Sequence, residues 1–144
     1  MNTSLRKPGI ALAVATLMVS FLVSGTALAI APMKANLSGS QEVPPVKSSA
    51  KGTSTIVVGD DKSVSGTIKT SGMKATAAHV HEGAKGKNGP HIIDLVMSSP
   101  DEWAIPPGAM LTDEQFQSLK DGNLYINVHS DAYKDGEIRA QLKP

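Results

Sequence analysis

The chain has 144 residues, with 14 Lys and Arg against 13 Asp and Glu, four histidines and no cysteine. One domain's worth of sequence with nearly balanced charge lacks the basic surface that nucleic-acid binding needs. The absent thiols exclude disulfide staples and thiolate metal sites, so any metal must be held by nitrogen and oxygen.

Arg6 and Lys7 precede an uncharged apolar run over residues 9–23, and Ser24-Gly25-Thr26-Ala27-Leu28-Ala29 supplies the small residues a signal peptidase reads. Residues 1–29 are therefore expected to be a signal peptide cut after Ala29. An uncleaved N-terminal anchor is the alternative, because the run from 9 to 30 approaches the roughly 20 apolar residues that span a bilayer. Either way residues 30–144 are expected outside the cytoplasm, in an extracellular, periplasmic or cell-envelope space. Membrane contact would come only through an uncleaved leader. Without Arg6 and Lys7 the basic residues fall to 12 against 13 acidic ones.

The remaining chain predicts short strands broken by turn residues, the pattern of an antiparallel sandwich or barrel. Residues 34–40 alternate, with Ala35 and Leu37 on one side, and Glu42-Val43-Pro44-Pro45-Val46 then breaks any ladder because proline lacks the donor. Residues 53–58 and 64–70 form a hairpin across Asp60-Asp61-Lys62-Ser63, with Val64, Gly66 and Ile68 alternating against polar neighbours. A strand carrying His79 and His81 follows, then a Gly/Lys-rich loop over 83–90 and a single strand over 91–97. Residues 98–107, with three prolines and Trp103, read as irregular. Thr112-Asp113-Glu114-Gln115 has capping-box spacing for a short helix ending near Lys120, with Gly122 as its stop. The last strands span 123–129 and 137–142, joined by a turn containing Asp135-Gly136.

Chemistry concentrates in the histidines. Successive strand residues point to opposite faces, so His79 and His81 share a face with Val80 on the other. His91 follows Gly89-Pro90, and His129 closes Asn127-Val128-His129. Imidazole suits both Cu(II) and Cu(I), which makes copper the expected ion. Zinc stays open, because three histidines and a water also make a zinc site. Glu82, Asn127 and Asp131 lie near in sequence as groups to orient the rings. A plain alternative is a solvent-facing histidine strand that merely pairs with 127–129. For Arg139 it is an ion pair with Glu137 or Glu42.

Four blocks carry a family resemblance over residues 37–142: Leu37-Ser38-Gly39-Ser40-Gln41-Glu42-Val43-Pro44-Pro45; Ala77-Ala78-His79-Val80-His81-Glu82-Gly83 with Gly86-Lys87-Asn88-Gly89-Pro90; Gly122-Asn123-Leu124-Tyr125-Ile126-Asn127-Val128-His129; and Gly136-Glu137-Ile138-Arg139-Ala140-Gln141-Leu142. In this order they resemble the CHRD domain, named for the repeats of chordin. That resemblance implies an all-β, commonly exported domain over residues 30–144, with no activity shared across the family.

A remoter likeness is to copper-zinc superoxide dismutases, through His79-Val80-His81-Glu82, Gly89-Pro90-His91, Val128-His129 and the late Arg139. It implies a Greek-key antiparallel β-sandwich of about seven or eight strands with one short helix. By the same likeness His79, His81 and His129 would hold copper, His91 would match the bridging ligand, and Arg139 would attract superoxide. The loop between His81 and His91 holds no other histidine or aspartate to complete a zinc site, and the cysteine pair of those enzymes is absent.

Three functions fit these residues. The first is a copper-binding β-sandwich with dismutase-like redox activity, whose partners are the metal ion and a small anion such as superoxide. The second is a non-enzymatic cell-envelope binding or structural module, and the third a copper carrier. The residues name no protein partner.

Overall fold

A computed structural model describes residues 31–144. The expected leader, residues 1–29, lies outside them. Nine strands are described: β1 Met33–Ser38, β2 Lys51–Val58, β3 Val64–Ser71, β4 Ala75–Glu82, β5 His91–Asp94, β6 Val96–Ser99, β7 Glu102–Ala104, β8 Leu124–Ser130 and β9 Ile138–Gln141. One α-helix, α1, spans Asp113–Lys120 between β7 and β8. Among the described residues no helix is long and apolar enough to cross a membrane.

The strands run in the order β5-β4-β8-β9-β1-β2-β3-β7-β6, every pairing antiparallel. Only one residue pair, Ser38 with Arg139, joins β9 to β1. At the other end of the order, β5 and β6 are separated along the chain by Leu95 alone. The ribbon thus folds into two layers, β5-β4-β8-β9 and β1-β2-β3-β7-β6. Between them lies one core containing Leu37, Ile56, Ile68, Val80, Ile126 and Ile138. β3 does not pair with β4, so the chain crosses between layers in the Greek-key manner.

Local chemistry accounts for the best-formed pieces. In β2, Gly52, Ser54, Ile56 and Val58 are buried while Lys51, Thr53 and Thr55 face solvent, the period-2 pattern of a half-covered strand. The β2–β3 hairpin pairs Val58 with Val64 and turns through Lys62, whose φ is 68°, with Asp61 accepting the Ser63 N–H at 3.0 Å. At α1 the Thr112 hydroxyl accepts the Gln115 N–H, and the Gln115 side chain accepts the Thr112 N–H, which completes the expected capping box. Gly122, at φ 74°, ends the helix, with Asn123 N–H reaching the Ser118 carbonyl and Gly122 N–H the Leu119 carbonyl.

Two expectations are corrected. Residues 91–97 are two strands in different layers, because Leu95 drops into the core and its N–H bonds to the Ala78 carbonyl at 2.9 Å, turning the chain from β4 towards β7. Residues 98–107 are not wholly irregular. Ser98 and Ser99 finish β6, Pro100 lies in a tight turn, and β7 sets buried Trp103 opposite Ile68. These pieces raise the strand count to nine.

Candidate metal centre

The register of β4, β8 and β9 builds the centre. His79 stands opposite Asn127, His81 opposite Tyr125 and Ala77 opposite His129, while Asn127 and Tyr125 face Arg139 and Gln141 across the next ladder. Alternate residues Ala78, Val80, Ile126, Val128, Ile138 and Ala140 point into the core. The histidines, Tyr125, Asn127, Arg139 and Gln141 therefore lie on the outer face of this layer. Yet β8 is buried at nearly every position. Its outer face is covered by the 83–90 loop and by the segment around Glu42.

The structure brings three of the sequence-predicted ligands together. His79 Nδ1 lies 2.9 Å from His129 Nε2, and each of His79, His81 and His129 offers a donor atom within 4.8 Å of the others. Their second nitrogens are tied to the backbone: His81 Nδ1 is 2.9 Å from the Gly89 carbonyl and His129 Nδ1 is 2.8 Å from the Lys134 carbonyl. A carbonyl only accepts, so both Nδ1 atoms carry the proton; His129 Nε2 then accepts the His79 Nδ1–H, and His81 Nε2 keeps a lone pair. His81 Nε2 is buried with no hydrogen-bond partner. A buried nitrogen left without a partner costs stability.

Burial holds His79 down at about 4, helped by the neighbouring His129 and His81 rings, and burial likewise lowers His81. Both rings are therefore neutral near pH 7, the form that binds metal. Backbone carbonyls orient His81 and His129, and Asn127, one of the three groups expected to orient the rings, stands close enough to His81 to favour its charged form. Glu82 accepts from Ser118 on α1, and Asn127 donates to the Asp135 carbonyl at 3.3 Å.

Gly89 makes the His81 anchor possible. A Cβ there would overlap the Glu82 carbonyl oxygen, so only glycine lets the 83–90 loop lie this close to β4. Tyr125 fastens the same point, its hydroxyl lying 3.1 Å from the Gly89 nitrogen and 3.3 Å from the Gly89 oxygen. The Tyr125 ring also stacks on His81, with centroids 4.7 Å apart and planes 11° from parallel.

Arg139 sits on the far side of that ring, its Cζ 3.4 Å from the Tyr125 centroid. Tyr125 thus lies between the guanidinium and His81. Arg139 is 2% exposed and donates to the Lys87 carbonyl at 2.8 Å, the Asn88 side-chain oxygen at 3.1 Å and the Ala84 carbonyl at 3.4 Å. The residue expected to attract an anion is instead enclosed beneath the loop and clamps it. Glu137, one ion-pair partner considered for it, accepts from Ser48 at 2.6 Å. Glu42, the other, is 6% exposed in the same enclosed patch, where burial pushes its carboxyl up to about 7 against the opposing pull of Arg139.

His91 comes near the cluster, its ring centroid 5.0 Å from that of His79, but it is not in the triplet. It groups instead with Asp94 and His79. Asp94 and Tyr125 are the site residues that sequence reasoning missed. Tyr125 could have been found from its place two residues from Asn127 on the histidine-bearing face of β8.

A family model described as the CHRD domain matches residues 33–142. The outer-face histidine layer thus sits in an all-β domain of defined class, and the chain belongs to the CHRD family. No curated protein and no solved structure matches it.

Proposed function

We propose that this CHRD domain binds copper through His79 Nδ1, His81 Nε2 and His129 Nε2. The observation that carries the reading is the convergence of three imidazoles, two of them fixed through a ring nitrogen to backbone carbonyls, around the buried, unpartnered Nε2 of His81. Donor type favours copper: an all-imidazole set suits both Cu(II) and Cu(I), and copper binds such nitrogen sites more tightly than zinc does.

Bound copper would supply one-electron exchange between its two oxidation states. The chain's own part is to hold the His79 and His81 rings neutral, align His81 and His129 through the Gly89 and Lys134 carbonyls, and shield one side of the site with Tyr125. Superoxide dismutation is the activity that the motif likeness suggests. Copper carriage is a second reading, and the enclosure of Arg139 favours it, because the cation that would guide superoxide is turned into the loop. The leader residues support an exported location for either role.

The test uses the full chain without a histidine tag. One equivalent of Cu(II) should give a spin-resonance spectrum with nitrogen hyperfine structure, and His81→Ala should lower affinity by more than about 100-fold, beyond the 10–100-fold typical of losing an outer partner. Binding no tighter than that of an unfolded peptide would leave a structural module. If copper binds, superoxide decay no faster than with free copper selects the carrier.

A further inference from the structure

We infer that Asn127 Oδ1 is a fourth donor to the ion held by His79, His81 and His129, which makes the set three imidazole nitrogens and one amide oxygen. The inference rests on the copper reading of that triplet. Its own basis is the register of β4 with β8. On the outer face β4 presents Ala77, His79 and His81, and β8 presents Tyr125, Asn127 and His129, with Asn127 directly opposite His79. Cross-strand partners keep their Cβ atoms about 5 Å apart, and diagonal neighbours lie within about 8 Å. Of the non-histidine positions among these six, Asn127 alone has one ligand histidine opposite it, a second on the diagonal and a third next along its own strand.

The amide is held with its oxygen towards the rings. Asn127 is 3% exposed, and its Nδ2 donates to the Asp135 carbonyl at 3.3 Å. Reversing the amide would set two oxygens that only accept against each other, so the nitrogen belongs on that side. The same nitrogen and Glu42 Oε1 converge over Gly136, where a Cβ would lie 2.5 Å from the one and 2.6 Å from the other. Glycine, here at φ 129°, leaves room for both. The other end of the amide, Oδ1, is buried without a hydrogen-bond partner, as is His81 Nε2. Burial lowers His81, and Asn127 beside it works the other way, as an oxygen turned towards the ring does. Two buried acceptors with no donor between them each cost stability, and a cation relieves both at once. An amide oxygen is also a harder donor than imidazole and occurs as a weak axial ligand at copper, so Asn127 biases the site towards the oxidised ion.

The full chain without a histidine tag would be titrated with Cu(II) and, in the absence of oxygen, with Cu(I), each against a chelator of known affinity. Asn127→Leu, which keeps the size and removes both polar atoms, should lower Cu(II) affinity by about 10-fold or more and Cu(I) affinity by less than about threefold. Equal losses in the two oxidation states would mean that the residue only shapes the site, and they overturn the inference, as does no loss in either. A second measurement needs no substitution. The full chain, grown with carbon-13 asparagine and loaded with one equivalent of Cu(II), should show in electron-nuclear double resonance an isotropic carbon-13 coupling, which arises through bonds. Copper bound with imidazole nitrogen couplings but no carbon-13 coupling would overturn the inference while leaving the triplet standing. A chain that keeps no copper at all refutes the triplet instead.

Discussion

The two outer faces of the sandwich have opposite characters. On the β1-β2-β3-β7-β6 layer the outward side chains include Lys51, Thr53, Thr55, Ser65 and Lys69, all exposed, and β2 and β3 alternate as half-covered strands should. On the β5-β4-β8-β9 layer the outward positions of β8 and β9 carry Tyr125, Asn127 and Arg139, all buried. The first face is ordinary solvated sheet. The second is a polar layer under its own roof, and it can exist only because the 83–90 loop satisfies it: Arg139 bonds to that loop's carbonyls, and Gln141 donates to the Gly83 carbonyl at 2.8 Å. A face that hides charge and aromatic surface under a polar loop is one whose side chains serve something other than solubility.

Arg139→Ala should break this contrast hardest. It removes the clamp and leaves three loop acceptors and the Tyr125 face without a partner, so unfolding in urea should show a loss of about 3–5 kcal/mol. Next comes Glu42. Its folded value of about 7 lies above the ordinary 4.5, so the folded state holds the proton more tightly than the unfolded state. Stability is then greatest below about pH 4.5 and declines as pH rises towards 7, by on the order of 3 kcal/mol. Glu42→Gln should flatten that slope, which urea midpoints at pH 5 and pH 8 will show. Gly89→Ala should displace the loop from Glu82 and loosen the His81 anchor, lowering copper affinity about 10–100-fold in a competition titration. At the small end, Lys69→Ala on the solvated face should change stability by less than about 0.5 kcal/mol and copper affinity not at all.

How far the sequence disclosed this depended on the range of the forces involved. The β2–β3 hairpin and the capped start of α1 rest on neighbours a few residues apart, and both were legible. The shared face of His79 and His81 follows from strand period alone. The β6–β7 hairpin was not legible, because prolines 100, 106 and 107 mask a short strand that Trp103 pulls into the core. Asp94 was hidden for a sharper reason: strict alternation assigns it to the face opposite His91, and only the bulge at Ile92 overrides that. The surroundings of Arg139 depend on a loop more than 50 residues away in the chain, a distance over which local patterning is silent.

His79 and His129 are 50 residues apart in sequence and meet only through the pairing of β4 with β8. A nascent or partly folded chain lacks the third nitrogen of this set, so on the proposed copper reading tight capture would wait until this non-local ladder has zipped. Occupancy of the three-nitrogen site would then act as a maturation stamp, acquired after folding in whichever compartment the ladder closes.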